Sequence, residues 1–236
     1  MVKKIISIYK EGLQKNDWLS EETKAQAIKK LDAMKLLIGY PDNYSDLYRD
    51  YQFDSKVSFF DNNYRYKYLS QKRSFDQFNQ PRQRDEWKMS ANAVNTYYDP
   101  NANAIVFPAA ILQAPFYDKN KSVSPNYGAI GAIIDHEIFH SFDINGMKFD
   151  ENGNLHNWWN EKDLANYKKK TKAMVAQWDG FKATGGKVNG QQTLAENIAA
   201  NGGVMVARKA LKTEANPDYK AFFQSWVASC LAPKSY

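Results

Sequence analysis

The sequence predicts a mostly α fold with a small β-sheet, an α+β class. Three patterns carry that reading. Apolar residues recur at helical spacing in several stretches, two short runs of strand formers flank one polar turn, and no repeat or low-complexity linker divides the chain. The 236 residues suffice for one large or two small domains. A composition of 43% hydrophobic and 25% charged residues is that of an ordinary globular protein. We read residues 1–236 as one domain, with a helical lead-in over 1–90 and the chemistry-bearing region over 91–236.

Taken in order, Ser20 is placed to cap a helix, and Glu21 and Glu22 favour its first turn through the helix dipole. Ala27, Leu31, Met34 and Ile38 recur at spacings of 4, 3 and 4. One apolar helical stripe is therefore expected to run to Ile38, where Gly39 and Pro41 stop it. Residues 43–85 are polar and rich in aromatics: Tyr44, Tyr48, Tyr51, Phe53, Phe59, Phe60, Tyr64, Tyr66, Tyr68, Phe75 and Phe78. One or two helices are expected there, with these rings packed on a core. Arg65, Lys67, Lys72 and Arg73 interleave with them, as on a surface for single-stranded nucleic acid. A formal charge of +6, spread along the chain, does not demand such a partner, and no nucleic acid is expected. Pro81 to Asp85 reads as a loop. Val94–Tyr98 and Ala104–Phe107 read as short strands joined by Asp99-Pro-Asn-Ala-Asn103. A strand of this kind can hold an extended peptide by main-chain hydrogen bonds, although an ordinary hairpin has the same pattern. Glu161 to about Trp178 reads as a helix, 180–192 as a glycine-rich loop, and Tyr219 to Leu231, after Pro217, as a last helix.

The chemistry is concentrated in Gly131-Ala-Ile-Ile-Asp-His-Glu-Ile-Phe-His-Ser-Phe-Asp143. On a helix, His136 and His140 lie about 40° apart around the axis and one turn along it. Both imidazoles can then reach one metal ion. Glu137 lies next to that face, where it can act as a general base on water. Two histidines and a glutamate in an otherwise apolar helix are costly to bury unless something pairs them. A tetrahedral catalytic zinc also needs a third protein ligand. The remaining histidine, His156, sits in the polar, turn-like Gly153-Asn-Leu-His-Asn-Trp-Trp159 and reads as a loop residue. Glu196 opens an apolar helix running from Ile198 to Leu211 and suits a ligand. Its other reading is a carboxylate that favours a helix N-terminus.

Seven linked segments resemble the neprilysin-like zinc metallopeptidases, the M13 family. They are Val94-Asn-Thr-Tyr-Tyr-Asp-Pro100, Ile105 to Gln113, Asn126-Tyr-Gly-Ala-Ile-Gly131, His136 to His140, Phe142-Asp-Ile-Asn-Gly146, Asn157-Trp-Trp159 and Glu196-Asn-Ile-Ala-Ala-Asn-Gly-Gly203. Weaker similarity extends to Asp17-Trp18 and Gly39-Tyr-Pro-Asp42. The resemblance implies a thermolysin-like zincin catalytic domain that hydrolyses internal peptide bonds. It implies one Zn2+ per chain held by His136, His140 and Glu196, with Glu137 activating the attacking water and Asp143 orienting His140. It further implies that Asn95 and Thr96 contact the peptide substrate. Ile111, Phe116 and Ile133 would line a pocket for a large hydrophobic residue just after the scissile bond.

The chain also departs from the family pattern. Thr96 stands where Ala is usual, and Asp135 where a small residue precedes the first histidine. E-N-x-x-D reads Glu196-Asn-Ile-Ala-Ala200, so the carboxylate expected to orient His136 is replaced by Ala200. Cys230 falls where a pocket Trp is expected. From the resemblance we expect these residues to lack most of the family's N-terminal lobe and its C-terminal segment, which carries an oxyanion-stabilising His and a nearby Arg. These departures set a second expectation beside the first: a non-catalytic remnant that binds zinc, a peptide or a complementing chain. A single cysteine allows no intrachain disulfide, and no apolar run approaches the ~18 residues of a membrane span. The expectation is a cytoplasmic protein of the bacterial intracellular type.

Overall fold

The computed structural model describes residues 1–42 and 50–231, so Tyr44 and Tyr48 lie outside the described residues. Two helices open the chain, α1 (Val2–Gln14) and α2 (Glu21–Asp32). Ser20 caps α2 as expected: its hydroxyl oxygen accepts the Thr23 amide at 3.3 Å, and Glu21 and Glu22 occupy the first turn. The expected stripe to Ile38 needs correction. α2 ends at Asp32, and Lys35–Gly39 form strand β1, parallel to β3 (Ala104–Pro108) with Leu36 opposite Ile105. Arg84 accounts for the early stop. Its guanidinium donates to the carbonyls of Ala33 at 2.7 Å and Ala102 at 2.6 Å, which draws the end of α2 onto the start of β3. The run Leu36-Leu-Ile38 fits either periodicity, and its strand partner decides the outcome.

β2 (Tyr97–Asp99) pairs antiparallel with the other side of β3, which gives the order β1-β3-β2 and leaves β2 at an edge. The expected hairpin is present, its first strand shorter than Val94–Tyr98. β3 is buried at every position, which is why Ala-Ile-Val-Phe-Pro shows no alternation. A second, two-stranded sheet, β4 (Lys182–Ala183) with β5 (Gly186–Lys187), folds within the glycine-rich stretch.

Between β1 and β2 lies α3 (Phe59–Asp76). Its aromatics were expected in a core. Instead Phe59, Phe60, Tyr64, Tyr68, Phe75 and the following Phe78 are 60–81% exposed. The rings are spread around the helix rather than along one stripe, so no single core could take them. Asn62 is the exception: it is buried, and its amide donates to the carbonyls of Asp54 and Ser58.

The remaining helices build the site. α4 (Val123–Asn126) passes through a π-helical stretch, Tyr127–Gly131, into α5 (Ala132–Phe139). α6 (Glu161–Trp178) and α8 (Tyr219–Leu231) coincide with the sequence reading, and α7 (Leu194–Lys212) starts just before Glu196. One core joins α1, α2 and the sheet to α5, α7 and α8 through Ile5, Tyr9, Leu31, Phe107, Ile138, Leu211 and Phe222. Among the described residues no helix is long and apolar enough to cross a membrane.

Candidate metal centre and cleft

α5 and α7 pack against each other, and glycine sets their distance. A Cβ on Gly202 would stand 2.3 Å from the Phe139 ring. One on Gly203 would stand 2.8 Å from the Ala132 carbonyl oxygen and 2.9 Å from the His136 nitrogen. The helices therefore meet backbone to backbone. Two turns before Gly203, α7 presents Glu196 to the histidines of α5.

The Nε2 atoms of His136 and His140 are 3.0 Å apart. A Glu196 carboxylate oxygen lies 3.3 Å from His136 Nε2, and the other lies 3.7 Å from His140 Nε2. Ligands of a tetrahedral zinc, about 2.0–2.1 Å from the ion, stand about 3.3 Å from one another. The three donors thus already sit near the spacing one ion requires. Two lone-pair nitrogens this close repel unless a proton or a cation lies between them. A donor set of two imidazoles and one carboxylate suits zinc, so these residues could hold it.

The two histidines are supported unequally. His140 Nδ1 lies 2.7 Å from Asp143 Oδ2, while Asp143 Oδ1 accepts the amides of Asn145 at 2.7 Å and Gly146 at 2.8 Å. This fixes the ring with Nε2 toward the centre. Burial pushes the His140 pKa down, but the Asp143 hydrogen bond and the carboxylates of Glu137, Asp143 and Glu196 outweigh it and raise it. No described residue does the same for His136, and Ala200 brings only a methyl group to the cleft.

Glu137 is buried, and its Oε1 accepts a 2.5 Å hydrogen bond from the Thr96 hydroxyl. Thr96, expected as a substrate contact, therefore turns its hydroxyl to the glutamate. Asp135 stays out of the centre. It lies fully buried near Tyr9 and Ala207, and neither carboxyl oxygen has a hydrogen-bond partner. Burial pushes its pKa well above the usual carboxylate range, and the backbone of Ala207 and the Lys209 charge oppose this only in part.

The donors open into a cleft of about 710 Å³ whose walls include Asn95, Thr96 and Ile133, with Val204, Trp226 and Cys230 from α7 and α8. Ile111 and Phe116 were expected there too. The structure instead seals them in the main core at 0% and 2% exposure, because the core takes the apolar side chains that follow β3. His156 is exposed and apart from the donors, in line with its reading as a loop residue. Two features went unread in the sequence. Trp226 and Val204 reach the cleft only through the packing of α7 and α8. Lys30 is fully buried, and its one sequence signal is its place three residues after Ala27, on the face that α2 buries.

A histidine-bearing helix packed on a carboxylate-bearing one, beside a short sheet, is the fold of the thermolysin-like zincins. Residues 95–226 match peptidase family M13, and residues 1–41 match that family's N-terminal part. The chain belongs to peptidase family M13. It is 44% identical to a neutral endopeptidase of Lactococcus lactis over 96% of this chain and 36% of that protein. Among solved structures it is similar to PepO of Lactobacillus rhamnosis, with a TM-score of 0.91, 41% identity, and coverage of 97% of this chain and 36% of that one. It is also similar to the Mycobacterium tuberculosis zinc metalloprotease Zmp1 in complex with an inhibitor, with a TM-score of 0.83, 33% identity, and coverage of 95% and 36%. The chain spans 36% of the length of each of these relatives.

Proposed function

We propose that this chain carries the zinc centre of an endopeptidase that hydrolyses internal bonds of oligopeptides before large hydrophobic residues. The observation that supports it best is the convergence of His136, His140 and Glu196 donor atoms within 4.8 Å of one another, beside the buried Glu137. Zinc, when bound, supplies a Lewis acid that lowers the pKa of water and polarises a carbonyl. Glu137 takes the proton from the attacking water and passes it to the leaving amine. The hydroxyl of Thr96 holds the Glu137 carboxylate in place until then. The peptide lies along the β2 edge by main-chain hydrogen bonds, with the Asn95 side chain on its backbone. Ile133, Val204 and Trp226 offer the apolar wall for the residue after the scissile bond.

The lack of an orienting partner for His136 among the described residues, with Ala200 where a carboxylate is expected, favours a second reading in which the chain binds zinc and a peptide without turnover. One experiment separates the two. Zinc per chain is measured by elemental mass spectrometry, and cleavage of a quenched fluorescent peptide is followed for the wild type and Glu137→Gln. The first reading expects about one zinc in both proteins and a loss of about 10²–10⁴-fold in turnover for the variant. Equal cleavage by the variant would sink the role of Glu137. Zinc without cleavage in the wild type would select the second reading.

A further inference from the structure

Lys30 lies on α2 with no exposure to solvent. A buried ammonium is costly unless each N–H finds an acceptor. Here all three do: Nζ donates to the carbonyls of Ser141 at 2.8 Å, Gly146 at 2.7 Å and Phe149 at 2.7 Å. The rings of Tyr98, Phe142 and Trp158 surround it, with centroids 6.0, 5.7 and 5.9 Å away, at the reach of cation–π attraction. Burial pushes the Lys30 pKa down to about 7, against the pull of Asp143, Asp150 and Glu151. A neutral amine has two N–H groups and would leave one carbonyl unmet, so three acceptors fit the charged form.

The three carbonyls belong to one turn, 141–149, that leaves the end of the histidine helix. Asp143 sits inside it, with one oxygen on His140 and the other on the amides of Asn145 and Gly146. Lys30 thus grips the turn on both sides of Asp143. The turn is folded back tightly: a Cβ on Gly146 would stand 1.8 Å from the His140 carbonyl oxygen. Lys30 is itself anchored, because the Asn103 amide donates to its carbonyl at 2.9 Å and to that of Glu151 at 3.1 Å. The peg is therefore braced against the start of β3.

We infer that Lys30 is a positioning residue for the metal centre, its ammonium holding the 141–149 turn so that Asp143 fixes the ring of His140. This rests on the reading of His140 as a metal ligand and adds to it a residue that does not itself line the cleft. The test is the zinc affinity of the full chain, measured by competition with a chromophoric chelator, with folding checked by circular dichroism. Lys30→Met keeps the length of the stem and deletes the donors. Affinity is expected to fall about 10–100-fold. Asp143→Ala should fall similarly, and the double variant no further, since both losses act through His140. No zinc uptake by the wild type would refute the centre itself and this role with it. Uptake by the wild type, with Lys30→Met unchanged in affinity or with losses that add, would overturn the positioning role and leave the centre standing. If Lys30→Met does not fold, Lys30→Gln, which keeps two donors without the charge, takes its place under the same criteria. Failure of both to fold would make Lys30 a determinant of the fold alone and overturn the proposal.

Discussion

At the scale of single residues, two positions beside the first histidine set this chain apart from the pattern it resembles, and they act in different places. Ala200 faces the cleft and leaves the His136 ring without the carboxylate partner that His140 has in Asp143. Asp135 faces the core, so it does not replace what Ala200 lacks. Its cost falls on stability instead. A buried polar group without a partner costs about 1–3 kcal/mol in measured substitutions, more when charged. Asp135→Ala is accordingly expected to raise stability by about 1–3 kcal/mol at pH 7, read from urea unfolding. The sign with pH follows from the raised pKa: the native state holds the extra proton, so its stability falls as pH rises through the folded value. The gain from the substitution should shrink toward pH 4, and a loss at pH 7 would show that Asp135 has a favourable partner. The sequence disclosed the extra carboxylate but not which way it points, because a helix position fixes a face only once its neighbours are known. The same limit hid the hydrogen bond from Thr96 to Glu137, whose partners lie 41 residues apart.

At the scale of elements, the metal centre depends on how closely α7 approaches α5. Gly203 meets the Ala132 carbonyl and the His136 amide, and a methyl group there has no flexible side chain to displace. Gly203→Ala should push the helices apart, cost about 1–3 kcal/mol as overpacking does, and weaken zinc binding by drawing Glu196 away. Gly12 provides the control. It lies inside α1 with nothing within 4 Å of its missing Cβ. Gly12→Ala should leave zinc affinity unchanged and stabilise by about 0.5–1 kcal/mol. Equal zinc affinities in the two variants would refute the spacing role of Gly203. α6 and α8 were legible nearly to the residue, the first from Glu161 to about Trp178 and the second, after Pro217, from Tyr219 to Leu231. β1 was not, because Leu36, Leu37 and Ile38 suit a helix or a strand equally well. Only β3 and the reach of Arg84 resolve the ambiguity, and neither is local.

At the scale of the molecule, the ligands come from two helices that the chain itself does not join directly, while α3 stands outside their core. Zinc should therefore act as a cross-brace for one part of the fold. An ion that binds only the folded state adds RT ln(1 + [L]/Kd), about 4 kcal/mol at a thousandfold excess over Kd. For a chain of this length each kcal/mol moves the melting temperature by about 2–4 °C, so chelation should lower it by about 10 °C. The loss should be uneven. Amide exchange is expected to quicken in α5, α7 and the 141–149 turn, and to stay unchanged in α3, whose aromatic residues share no core with the centre. Glu196→Ala should melt at the chelated temperature whether or not zinc is present. Uniform loss of protection on chelation, α3 included, would mean that the centre and the exposed helix unfold as one unit. Identical melting of the wild type with and without zinc would mean that the three donors are held together by the packing of Gly202 and Gly203 alone, with no ion bridging them.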